Sequence, residues 1–205
     1  PFFPWRDDDG PDAALATLLE ASGLPQSPSV VIDETMRADF ALLLLDALPG
    51  ASRRFTDDTV GFLRARKEED EYRRLKASAV LNDTAAMAGF DALTPGITEL
   101  EIAAVIRDVY KQAGATPVFT SVCFGGNGAF PHHHTGETQL KSGDAVLIDT
   151  GGRLDGYPSD MTRVGFFGTP TAEFEKVHAI VNKAVEAALA AAKPGVLAKS
   201  IDKAA

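Results

Sequence analysis

Apolar positions along the chain change their period several times, and each change marks an element. Residues 12–22 predict a short helix, Val30–Ile32 a buried strand, and Thr35–Leu48 a second helix that Pro49-Gly50 terminates. From Arg64 a charged stretch opens a long helix to about Leu93, with Tyr72, Leu75, Ala79, Ala86 and Phe90 at roughly helical spacing. Pro95-Gly96 stops it, and Thr98 with Glu101 forms a capping box for the next helix. There Ile102, Val105, Ile106, Val109, Tyr110 and Ala113 follow the i, i+3, i+4 repeat as far as Gly114. Beyond it, three apolar segments, 117–124, 145–149 and 161–167, read as strands joined by glycine-rich connections. A last long helix starts at Thr169-Pro170, carries Phe174, Val177, Val181, Val185 and Leu189 on one side, and ends at Lys193-Pro194-Gly195.

This order predicts two domains meeting near Thr56–Arg66. Residues 1–60 read as the tail of a small α/β domain, and residues 61–205 as the beginning of a larger α+β one. The charged run at the junction reads as a solvated helix start. Pro95-Gly96-Ile97 with Ile102 and Pro194-Gly195-Val196 with Ile201 share a constant offset of 99 residues, and a long helix precedes each. An internal duplication is expected, with the chain stopping early in its second copy. Because it also starts at Pro1 rather than Met, the chain is expected to be a piece of a longer one.

Composition narrows the function classes. With 205 residues, 45% of them hydrophobic and 24% charged, the chain can bury a real core. The 29 acidic against 20 basic residues give a net charge of -9, so a nucleic-acid phosphate backbone is not an expected partner. The apolar run Ala41–Leu45 is too short to cross a bilayer. One cysteine, Cys123, permits no internal disulfide, and no signal-peptide pattern precedes it; cytoplasm is the expected compartment.

The chemistry is concentrated in residues 130–168. Asp149 closes one apolar segment, beside Val146, Leu147 and Ile148, and Asp160 opens the next. A carboxylate in such company is costly to bury unless it is paired or binds a cation. In an antiparallel hairpin with an even loop the two aspartates share one face. A Leu154-Asp155 loop would set them directly opposite, with Cβ atoms about 4.5–5.5 Å apart, and an Asp155-Gly156 loop would make them diagonal neighbours at about 7–8 Å. Thr162 shares the face in both registers. The pair could hold a divalent metal, or the two could be turn and ion-pair aspartates with Arg153 or Arg163 folded back. Three successive histidines, His132–His134, point alternately in an extended segment and cannot converge on one ion. Gly125-Gly126-Asn127-Gly128 lacks the lysine and hydroxyl of a phosphate loop and reads as an ordinary flexible loop. Cys123 reads as a small core residue, and His178 as a helix residue.

Taken together, Pro131-His132, Leu140-Lys141-Ser142-Gly143-Asp144, Ile148-Asp149-Thr150-Gly151 and Gly156-Tyr157-Pro158-Ser159-Asp160-Met161-Thr162-Arg163 resemble the pita-bread metallopeptidases, the family of prolidase, Xaa-Pro aminopeptidase and methionine aminopeptidase. The order and separations fit the prolidase and aminopeptidase P branch, over about Arg64–Ala205. The resemblance implies a partial pita-bread (creatinase/aminopeptidase) fold preceded by the end of a creatinase-like N-terminal domain. It makes Asp149 a ligand of one metal and Asp160 the ligand bridging two. His132 falls on the substrate side, and Thr162 where a threonine supports the ligands. The implied activity is metal-dependent hydrolysis of Xaa-Pro peptides, with two divalent ions, Mn²⁺ or Co²⁺ by ligand chemistry and Zn²⁺ as a third choice. It leaves a homodimer open. The family completes its site with a histidine in a His-Gly-rich segment and two glutamates further downstream, a pattern these residues lack, so the chain alone is expected to hold half a site. A creatinase-like amidinohydrolase and a non-catalytic binding module on the same fold are the alternatives; both aspartates being present weighs against them.

Overall fold

The computed structural model describes residues 1–205 and divides into two units, Pro1–Glu68 and Glu69–Ala205. In the first unit, helix α1 (Asp12–Ala21), strand β1 (Ser29–Ile32), helix α2 (Ala38–Ala47) and strand β2 (Ser52–Phe55) follow one another. The two strands pair in parallel, Val31 opposite Arg54. Strand β2 was not expected, because Ser52-Arg53-Arg54-Phe55 shows no apolar alternation and none of its residues is buried. A turn of π-helix at Asp57–Gly61 and the short helix α3 (Phe62–Ala65) close this unit.

The helix expected to run unbroken from Arg64 is interrupted. Arg66 is extended, at φ -103 and ψ 111, and helix α4 begins only at Glu69 and runs to Asp91. A helix start presents partial positive charge, which favours Glu69, Asp70 and Glu71 in the first turn and disfavours Arg66 and Lys67. Helix α5 (Glu99–Gln112) forms with its capping box: Thr98 Oγ1 accepts from the Glu101 N–H at 3.2 Å, and the Glu101 carboxylate accepts from the Thr98 N–H at 2.8 Å.

Strands β3 (Thr116–Phe124), β4 (Ala145–Leu154), β5 (Tyr157–Pro158) and β6 (Met161–Phe166) make an antiparallel sheet in which β4 pairs with the other three. Helices α4 and α5 cover one face. The core there joins Ile102, Ile106 and Tyr110 of α5 to Val122, Phe124, Val146 and Ile148 of the sheet, all buried. Gly89 lets α4 into this layer, since a Cβ there would stand 2.8 Å from the Ile106 side chain and 3.1 Å from that of Ile148. Helix α6 (Ala172–Ala191), capped by Thr171, and α7 (Ala198–Ala204) repeat the order of α4 and α5: α7 starts at residue 198 and α5 at 99, again 99 apart. None of the residues of α6 is buried, and its apolar side, with Val177, Val181 and Leu189, is exposed. No helix is long and apolar enough to cross a membrane.

Candidate active site

The β4–β6 hairpin resolves the two registers. Leu154 pairs with Tyr157, and Asp149 stands opposite Thr162, which leaves Asp155-Gly156 as the two-residue loop. Both loop residues have positive φ, 50° and 83°, the signature of a type I′ turn. Asp tolerates the left-handed region and Gly occupies it freely, whereas Leu154 at the first loop position would be strained. Directly opposed aspartates are therefore excluded. Asp149 and Asp160 are diagonal neighbours across the hairpin, a relation that spans about 7–8 Å.

Alternation along β4 sends Val146, Ile148 and Thr150 toward the helices and Leu147 and Asp149 to the other face, where Asp149 is half-buried. Paired neighbours share that face: Ser121 and Cys123 from β3, Thr162 and Val164 from β6. Thr162 Oγ1 donates to Asp149 Oδ1 at 2.8 Å, which orients the carboxylate and leaves its second oxygen open. Behind Asp149 the backbone is held by a buried polar group. Asn82 Nδ2 donates to the Thr150 carbonyl at 3.0 Å, and the Tyr110 hydroxyl donates to Asn82 Oδ1. Neither arginine folds back on the aspartates. Arg153 donates to the Gly156 carbonyl at 3.2 Å, and Arg163, on the helix side of β6, reaches Asp83 at 3.4 Å. No ion pair of the chain neutralises Asp149 or Asp160.

This face floors a cleft of about 570 Å³ whose lining includes Phe119, Ser121, Phe130, His132, Asp149 and Thr162. His132 thus shares the cleft with Asp149, while Asp160 lies outside its lining and is exposed. His132 occupies a tight turn in which the His133 N–H donates to the Phe130 carbonyl at 3.2 Å, and its φ of 57° is left-handed. Burial pushes the Cys123 thiol up, so it stays protonated at neutral pH and behaves as the packing residue expected.

As a metal site the donor set is partial. Two carboxylates on one face, one of them with a free oxygen, suit a hard or borderline divalent cation. No three His, Cys, Asp or Glu side chains gather as a metal would require. The residues therefore fit as two members of a larger ligand set. All three histidines, His132–His134, border the cleft, and His133 also reaches Glu99 through its Nε2.

Glu99 is the residue that the sequence did not single out. It is fully buried, and its carboxylate accepts from the Phe124 N–H and Asn127 Nδ2, both at 2.8 Å, and from His133 Nε2 and the Gly136 N–H, both at 3.0 Å. Burial alone would push its carboxyl up, yet these hydrogen bonds together hold it below the ordinary glutamate range. As an ionised carboxylate only accepts, His133 carries its proton on Nε2. Gly125-Gly126-Asn127-Gly128, expected to be a loop, lies in a turn of 3-10 helix, Gly125–Ala129, and Asn127 ties it to Glu99.

The sequence model of metallopeptidase family M24 matches residues 73–205. The chain belongs to metallopeptidase family M24. Among proteins similar to this M24 chain, the probable dipeptidase PepE of Mycobacterium bovis is 34% identical over 203 residues, 98% of this chain and 53% of that protein. The crystal structure of dipeptidase PepE from Mycobacterium ulcerans superposes with a TM-score of 0.83 at 32% identity, covering 98% of this chain and 53% of the other. The prolidase from Pyrococcus horikoshii OT3 gives a TM-score of 0.83 at 29% identity, over 95% of this chain and 55% of that one. The architecture is thus part of the pita-bread fold, and the chain spans about half the length of the relatives it matches.

Proposed function

We propose that this M24 chain carries part of the active site of a metal-dependent peptidase that hydrolyses Xaa-Pro peptides. The observation that carries the reading is the Asp149–Asp160 pair: two carboxylates on one sheet face, neutralised by no cation of the chain, one of them oriented by Thr162. In this reading Asp149 and Asp160 hold two divalent ions, Mn²⁺ or Co²⁺, and Thr162 keeps Asp149 turned toward them. Such ions, when bound, lower the pKa of water and polarise a peptide carbonyl. His132, across the cleft, donates a hydrogen bond to the substrate. The solved prolidase among the structural neighbours supports proline in the second position of the substrate. The lone free cysteine, Cys123, supports a cytoplasmic setting, and residues 1–60 would be the end of a creatinase-like N-terminal domain.

Two measurements test this. In the full-length protein, cleavage of an Xaa-Pro dipeptide should require Mn²⁺ or Co²⁺ and vanish in Asp149→Asn; cleavage that persists after chelation sinks the reading. The 205-residue chain alone should bind Mn²⁺ weakly and turn nothing over. Mn²⁺-stimulated cleavage by it alone would show the ligand set to be complete within these residues.

A further inference from the structure

His132 has to stay at one place over the Asp149 face, yet it rides on the 125–136 connection, in an exposed turn. What ties that connection down lies on another element. Glu99 opens α5, and the four donors that its carboxylate accepts come from the end of β3, from the 3-10 turn, from the residue next to His132 and from the far end of the connection. Asn127 Nδ2 is shared with Thr138 Oγ1 at 3.0 Å, which carries the same tie one step further. Thr135 adds a second tether, its hydroxyl accepting from the Val122 N–H at 2.8 Å. No lysine or arginine contacts Glu99; N–H donors and the start of α5 balance its charge.

An ionised side chain is a demanding way to close a loop. Burying a carboxylate is strongly unfavourable unless every oxygen is satisfied. In return, charge-assisted hydrogen bonds are short and directional, and one anion can gather donors from four places at once. That geometry suits a connection whose middle must be fixed and not merely closed. His133 is the nearest of the four anchors to the cleft, one residue from His132.

We propose that Glu99 is a positioning residue, whose buried carboxylate holds the 125–136 connection in one conformation and so sets His132 against the sheet face that bears Asp149 and Thr162. The functional side of this rests on His132 acting on substrate. Glu99→Gln keeps the shape but supplies one acceptor atom in place of two. In this variant of the ¹⁵N-labelled chain, amide hydrogen exchange across 125–136 should speed up at least tenfold while the Val146 and Ile148 amides of β4 keep their rates. The His132 ring resonances should shift, with those of His178 unchanged as an internal reference. Glu99→Asp, which keeps the anion, should restore part of both effects. Equal acceleration in β4 and the connection would reduce Glu99 to general core support, and unmoved His132 signals would overturn the proposal outright. Should Glu99→Gln fail to fold, Asn127→Ala removes one half-exposed anchor and must show the same local pattern at smaller amplitude; no change there also overturns it. Neither readout depends on turnover, so a wild-type protein that cleaves no Xaa-Pro bond would defeat the peptidase reading and leave this result standing.

Discussion

The two faces of the sheet are made from alternate residues of the same strands, and they are built for different ends. Val146, Ile148 and Thr150 lie beneath α4 and α5 with no solvent exposure, and even the polar member is satisfied, by Phe119, Thr120 and Tyr110. Leu147, Asp149 and Thr162 look the other way into a cleft and stay partly open. The closed face makes the strands rigid, and the open face spends that rigidity on holding polar groups that have no partner of opposite charge. Stability and chemistry are thus separated by a single residue step.

If this separation is real, substitutions should sort by face. The largest effect is expected for Ile148→Ala, at about 2–5 kcal/mol of lost stability in denaturant unfolding, because its site is walled by Gly89 and Ile106 and cannot collapse freely. Leu147→Ala, one residue away on the open face, should cost distinctly less; equal costs would erase the distinction. A smaller loss is expected on acidification. The folded-state pKa of Glu99 is depressed, so its contribution is complete above the ordinary glutamate value of about 4.3 and fades as pH falls through the lower folded value. Acid unfolding of the wild type followed by circular dichroism should contain this step, and Glu99→Gln should lack it. The smallest effect on stability belongs to Asp149→Asn, within about 0.5 kcal/mol, since the amide oxygen can still accept from Thr162. Mn²⁺ affinity should nonetheless fall at least tenfold, as read by Mn²⁺ electron paramagnetic resonance. A large stability loss there would mean that Asp149 is a structural aspartate after all.

Legibility in the sequence followed the range of the interactions. Helix α5 could be read closely, since its capping box and its apolar repeat are local, and both are present. Strand β2 could not, because its pairing with β1 shows in no side-chain pattern. Asp149 and Asp160 stood out as charges at the edges of apolar segments, but their mutual placement needed the turn, where two loops were equally consistent with the pattern. Glu99 gave no signal. At the first position of a helix an acidic residue is ordinary, and its burial is created by donors 25 to 37 positions away.

The Asp155-Gly156 turn also bears on how the site comes together. Thirteen positions separate Asp149 from Thr162, while the Glu99 anchors bridge two to three times that span. Loop-closure entropy rises by only about 0.6 kcal/mol per doubling of length, yet a hairpin with a preset turn forms within microseconds, well ahead of longer-range contacts. The aspartate pair is accordingly the locally encoded part of the proposed site, and its hairpin is expected to close before the longer-range Glu99 contacts fix the histidine connection.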